Sequence, residues 1–336
     1  MFRELRLLCP KSKKSYLREV NNIQKVTVIG DINVDISGKF STWPRRGSCS
    51  FSSNPTISAG GVGGNVAVAL KRLGIDVRFI SAVGNDIFGS FHIEQIAKEG
   101  IDTSLIQVLP TYNTGLVFAI IDDFGERTFL AFRLNSADIH MNLKSQVLVQ
   151  KVKEPIFISG VVIAEGVEAY TTTLTLLKEE RNQKIFLDPS VRSANGRIDS
   201  LMCDKYYEAL KFTNVFLPNE EELLEITRKT SVSEALSRIF KFGVEEVWVK
   251  RGPNDIIYAS KDGQQEKYPV VSVHKVVDTT GAGDVFDAAI VYGYMKGWAP
   301  YKKASFAAEV AAYSIQRLGS ITSFPKISQF LKRRSC

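Results

Sequence analysis

A layered α/β fold, with helices on both faces of a mostly parallel sheet and a small extra β-sheet attached, is the architecture this sequence predicts. Three observations predict it. Short apolar runs alternate with longer amphipathic ones, glycine-rich turns lead two times into helices, and two stretches break the alternation. The first apolar run is Lys25–Gly30, followed by Asp31-Ile32-Asn33-Val34-Asp35, whose alternation puts Asp31, Asn33 and Asp35 on one side, facing a cleft at the strand's C-terminal end. Next, Gly60-Gly61-Val62-Gly63-Gly64-Asn65 opens a helix with Val66, Ala69, Leu70 and Leu73 as its buried stripe and Gly74 as its stop. Val77–Val83, Pro155–Ser159, Ile185–Asp188, Val215–Pro218 and Val247–Lys250 read as strands. Asp86–Glu99, Glu168–Arg181, Ser231–Phe242 and Tyr301–Gln316 read as helices, and so does the segment after Gly281-Ala282-Gly283, where Val285, Ala288, Ala289 and Tyr292 share a face. The exceptions are Ile36–Ser58, with Trp43-Pro44 and Gly47, and Thr114–Arg133, two strands around Asp122-Asp123-Phe124-Gly125. Both suit a small β-sheet inserted into one main domain.

Composition narrows the function classes. At 336 residues and 44% hydrophobic content the chain can bury a large core, yet no apolar run approaches the ~20 residues a bilayer span needs. The net charge of +7 sits at the ends. Arg3, Arg6, Lys11, Lys13, Lys14, Arg18 and Lys25, less Glu4 and Glu19, give the first 25 residues +5, and Lys332, Arg333 and Arg334 add three, leaving −1 for the rest. The reading is a basic extension over 1–24, a globular domain over 25–330 and a basic tail over 331–336. No basic stripe interleaved with aromatics points to nucleic acid. Residues 1–25 are too charged for a secretory signal, and Cys9, Cys49, Cys203 and Cys336 lack metal-site spacing. A cytoplasmic enzyme with free thiols is expected.

The most informative string is Asp278-Thr279-Thr280-Gly281-Ala282-Gly283-Asp284. A glycine turn before a helix leaves N–H groups at the positive end of the helix dipole, where they suit a phosphate. A carboxylate beside that anion repels it, so Asp284 needs a purpose: accepting the proton of an attacking hydroxyl. A plain helix N-cap is the alternative. Gly60 to Gly64 likewise let backbone approach a small ligand, with Asn65 able to donate and accept, although a simple strand-to-helix turn would use the same glycines.

D-T-T-G-A-G-D-x-F resembles the C-terminal signature of the PfkB (ribokinase-like) carbohydrate kinases, and G-G-x-x-x-N together with G-x-x-N-x-D at Gly30–Asp35 resembles their N-terminal motifs. The resemblance runs from about residue 25 to about residue 325. It implies a ribokinase-like three-layer fold in which the small sheet, near 36–58 and 114–133, is a lid and a homodimer surface. It implies ATP as co-substrate, with Mg²⁺, and a hydroxyl of a small sugar as acceptor. By the same resemblance Asp284 is the base and Gly281, Ala282 and Gly283 its anion hole. Asn33, Asp35, Gly60, Gly61 and Asn65 meet the substrate, and Asn219, Gly252, Thr279, Gly281 and Gly283 meet ATP. Glu222 of the N-x-x-E motif holds Mg²⁺ through water, and Asp278 and Thr280 hold K⁺ in some members. Lys250-Arg251-Gly252 departs from the family's nucleotide loop except at Gly252.

Phe132–Asp138 and Asp188–Arg192 resemble segments of fructokinases and 2-keto-3-deoxygluconate kinases. There Arg133 and Arg192 would meet a sugar-acid carboxylate; structural salt bridges account for either arginine equally well. The chain is therefore expected to phosphorylate a sugar or sugar acid. A nucleoside kinase using Phe118, Phe129 or Phe132 as a stacking surface is the alternative, and a non-catalytic binding regulator is the alternative from another class.

Overall fold

The computed structural model describes residues 24–52, 55–122, 127–142, 152–179, 183–191 and 198–331. The basic extension up to residue 23, the tail from 332, the turn 123–126, Arg181 and Arg192 lie outside the described residues. In chain order the strands are β1 (Lys25–Ile29), β2 (Asn33–Lys39), β3 (Thr56–Gly60), β4 (Asp76–Gly84), β5 (Ile106–Leu109), β6 (Gly115–Ile121), β7 (Arg127–Phe132), β8 (Ile156–Ser159), β9 (Ile185–Asp188), β10 (Val215–Phe216), β11 (Glu246–Val249), β12 (Ile256–Ser260) and β13 (Gln265–Tyr268). The longer helices are α1 (Val62–Arg72), α2 (Ile87–Lys98), α3 (Glu168–Glu179), α4 (Ser200–Leu210), α5 (Glu220–Thr227), α6 (Val232–Phe240), α7 (Ala282–Met295) and α8 (Pro300–Ser314).

Nine strands form the main sheet in the order β13-β12-β11-β10-β9-β8-β1-β4-β5. All neighbours pair parallel except β11–β12 and β12–β13, which are antiparallel. The central strands are apolar because they are covered twice: every residue of β8 and β9 is buried. Alternation sorts their side chains between two layers. Val26, Val28, Phe157 and Phe186 pack toward Val66, Leu70, Val285 and Ala289 of α1 and α7. Ile29, Ile158, Ile185 and Leu187 pack toward Leu177, Tyr206, Leu223 and Leu236 of α3 to α6. This is the three-layer arrangement expected.

The two irregular stretches do build a second sheet, of order β3-β2-β6-β7. Strands β2 and β6 run parallel, with Asn33 opposite Gly115, while β2–β3 and β6–β7 are antiparallel, with Asn33 opposite Gly60. Ile57, Phe129, Leu130 and Phe132 of this sheet are exposed. Among the described residues no helix is long and apolar enough to cross a membrane.

Candidate active site

The two glycine-rich motifs meet. Gly281 caps α7 with φ 74°, and a Cβ there would stand 2.8 Å from the Phe324 ring, so both backbone and space demand glycine. The turn corrects one expectation. The N–H of Ala282 donates to the Thr279 carbonyl at 3.1 Å, closing the turn, so it is withdrawn from the anion hole. The amides of Gly281 and Gly283 have no protein acceptor among the described residues and remain at the dipole's positive end. Asp284, in the first turn and half-buried, accepts a 2.6 Å hydrogen bond from Nδ2 of Asn65 in the first turn of α1. A carboxylate acceptor fixes the orientation of that amide. Its Oδ1 is therefore the atom left buried with no partner, beside the carboxylate.

Close backbone contact brings α1 there. A Cβ on Gly61 (φ 90°) would lie 2.6 Å from the Asp31 carbonyl, and one on Gly63 would lie 2.6 Å from Gly30 Cα. Asp31 itself does not line the cleft as expected. It is fully buried, and its carboxylate accepts the N–H groups of Val62 and Gly63 at 3.1 Å and the Ser159 hydroxyl at 2.8 Å. The alternation fails because residues 30–32 turn from one sheet into the other; it resumes in β2, where Asn33 and Asp35 share a face. Asp35 abuts Gly60, where a Cβ would fall 2.3 Å from its Oδ2. Behind this loop lies His92, which sequence reasoning missed. It is fully buried, its Nε2 bonds the Gly60 carbonyl at 3.0 Å, and Nδ1 has no partner. Burial pushes it down to about 4, so the ring is neutral, with the proton on Nε2. A histidine inside an otherwise apolar helical stripe was the available signal.

Arg133 is a second correction. Instead of facing a substrate carboxylate, its guanidinium is 5% exposed and donates to Asp138 at 2.7 Å, to Glu165 at 2.9 Å and to Oδ1 of Asn33. Burial works against its charge, but Asp138 and Glu165 outweigh burial and hold it protonated. The salt-bridge alternative is the one the geometry bears out, and Arg133 anchors Asn33. Phe118 and Phe132 pack edge to face at 5.6 Å, occupied with each other.

Asn219 and Glu222 form a reciprocal capping box at α5, with Glu222 N–H to Asn219 Oδ1 at 2.8 Å and Asn219 N–H to Glu222 Oε2 at 2.7 Å. The other carboxylate oxygen accepts from Val191 N–H at 3.1 Å. Burial, with the charge of Asp188 second and Lys250 opposing, pushes Glu222 up to about 7. Lys250 directly follows β11 and pairs with Asp287 at 2.8 Å and Asp188 at 3.2 Å. Gly252 follows at φ 58°, with open space at its Cβ position. Across α7, the carboxylate of Asp278 accepts from Thr280 N–H at 2.6 Å and Gly319 N–H at 2.8 Å, next to a buried Ser320 hydroxyl without a partner. Among the described residues no three His, Cys, Asp or Glu side chains converge as a metal cage. The donor set fits Mg²⁺ that rides on phosphate oxygens with one or two carboxylates nearby.

Known proteins resemble this chain over nearly its whole length. The chain is 27% identical over 321 residues to 5-dehydro-2-deoxygluconokinase of Clostridium tetani, covering 92% of this chain and 93% of that protein. It is 28% identical over 309 residues to ribokinase of Lactococcus lactis, covering 91% and 95%. An Escherichia coli ribokinase II solved with ATP and Mg²⁺ superposes with a TM-score of 0.79 at 27% identity, over 92% of this chain and 99% of that one. The fold is also that of Arabidopsis thaliana ribokinase solved with ribose and ATP, at a TM-score of 0.77, 23% identity, and 92% and 97% coverage. The family model for pfkB carbohydrate kinases matches residues 23–327, and with the two motifs joined at Asn65 and Asp284 the chain belongs to that family.

Proposed function

We propose that the chain transfers the γ-phosphoryl group of ATP to a hydroxyl of a small polyhydroxy sugar. The observation that carries the reading is the Asn65–Asp284 hydrogen bond set beside the open amides of Gly281 and Gly283. A substrate hydroxyl placed there gives its proton to Asp284 as its oxygen attacks the γ-phosphorus. The bond from that phosphorus to the bridging oxygen breaks, and ADP leaves with the electron pair. The two amides take up charge on the transferring group. Asp35 and the unpartnered Oδ1 of Asn65 bind substrate hydroxyls, while Arg133 holds Asn33 in place. With Arg133 already balanced by Asp138 and Glu165, the described site favours a neutral sugar over a sugar acid.

Asn219, Gly252 and Thr279 border the proposed ATP site, and Asp278 with Thr280 the proposed K⁺ site. Mg²⁺ supplies charge neutralisation on the phosphates when bound, and Glu222 would hold it through water. The four-stranded sheet acts as a lid that excludes water, and its exposed Ile57, Phe129 and Phe132 suit a second copy of the chain. The test is a coupled ADP-release screen over ketoses, aldoses, sugar acids and nucleosides, repeated with Asp284→Asn. Turnover of a sugar is expected, with kcat reduced at least ~10²-fold in the variant. Preference for a nucleoside, or an undiminished variant, would reverse the assignment.

A further inference from the structure

Lys250 is not accounted for by the reaction as described. Its side chain is 14% exposed, and its ammonium donates to Asp287 at 2.8 Å and forms an ion pair with Asp188 at 3.2 Å. Its Nζ stands 3.7 Å from the position a Cβ would take on Gly283, whose N–H is open. The ammonium therefore lies alongside the turn that carries the open amides, within reach of an anion bound there. Its clamp is built into the same helix as the base, because Asp284 and Asp287 are three residues apart in α7 and share a face.

We propose that Lys250 contacts the terminal phosphate of the bound nucleotide and adds a positive charge to the anion hole formed by Gly281 and Gly283. The inference rests on the kinase reading above. A purely structural role, tying β11 to α7, explains the two ion pairs but not the placement of the ammonium 3.7 Å from the Cβ position of Gly283, beside the open amides of the turn. Asp287 and Asp188 hold it there, and a phosphate bound at those amides completes its set of acceptors.

The test compares binding of ADP with that of the β,γ-methylene analogue of ATP by calorimetry. It uses the wild type, Lys250→Met combined with Asp287→Asn, Lys250→Gln, and Asp287→Asn alone. The double variant avoids leaving both aspartates buried without a counter-charge, and Lys250→Gln serves if that variant does not fold. Loss of Lys250 is expected to weaken the triphosphate analogue about tenfold or more while changing ADP less than twofold. Asp287→Asn alone should retain the preference for the analogue. Equal weakening of both ligands, or no change in either, would overturn the role of Lys250 while leaving the kinase reading intact. A wild type that binds neither nucleotide would overturn the kinase reading and the role of Lys250 with it.

Discussion

Replacing His92 by leucine should flatten the acid side of the stability profile. In an unfolded chain the imidazole titrates near 6.5, whereas burial in the native structure pushes it down to about 4, against the pull of the Gly60 carbonyl, Asp31 and Asp138. Between those values the unfolded state binds more protons than the native one. The neutral, buried histidine therefore contributes its full stability above pH 6.5 and loses it as pH falls toward 4. A gap of two to three pH units corresponds to about 3 kcal/mol. Urea unfolding of the wild type and of His92→Leu, measured from pH 7.5 down to pH 4.5, reads the effect as a difference in stability. That difference should favour the wild type most at pH 7.5 and shrink by about 2–3 kcal/mol on acidification. A difference that stays constant over the range would show that His92 titrates normally in the folded protein, and its role as neutral donor to the Gly60 carbonyl would fail.

Glu222→Gln should remove a trend of the opposite sign. A carboxyl raised to about 7 stabilises the fold below pH 4.5 and loses that contribution as pH rises through 7, so the variant should show less decline than the wild type between those limits in the same urea series. Gly63→Ala should cost about 1–3 kcal/mol or more, because the new methyl meets Gly30 Cα at 2.6 Å and the carbonyl carbon at 2.7 Å, both backbone; an unchanged unfolding midpoint would show that α1 can move away. Arg133→Ala should cost about 3–5 kcal/mol by stranding Asp138 and Glu165, visible as a fall in Tm with every substrate affected alike; a loss confined to sugar acids would restore the carboxylate-binding role.

What the sequence revealed, and what it did not, follows the range of the interactions. β9 coincides with the run Ile185–Asp188, and α2 is capped by Asp86, whose side chain accepts from Gly89 N–H, as a local signal should be. β10 is shorter than the run Val215–Pro218 because Pro218 has no N–H for the ladder. The turn of the hairpin β12–β13 is marked by Asp262-Gly263 and the start of α4 by its Asp199 cap, local signals that apolar runs alone do not reveal. In the site, the glycines were legible because local backbone geometry requires them. The partners of Asp31, Arg133 and Lys250 were not. Asp31 bonds Ser159 across 128 positions, and Arg133 bonds Asn33 across 100. Such pairings depend on where the sheets place distant segments, and charge type alone does not disclose them.

The hydrogen bond between Asn65 and Asp284 spans 219 positions, and this has a consequence for how the molecule is made. On the ribosome, β1 and α1 emerge early, but β1 must wait for β8 to cover its second edge, and α1 must wait for α7 to cover its apolar stripe. Long-range parallel pairing of this kind folds slowly and leaves apolar surface open meanwhile. Until translation has passed Asp284, the growing polypeptide holds the Gly60–Gly64 turn without the carboxylate that Asn65 bonds. A message truncated before that codon would yield a product without α7, with Val66 and Leu70 left uncovered.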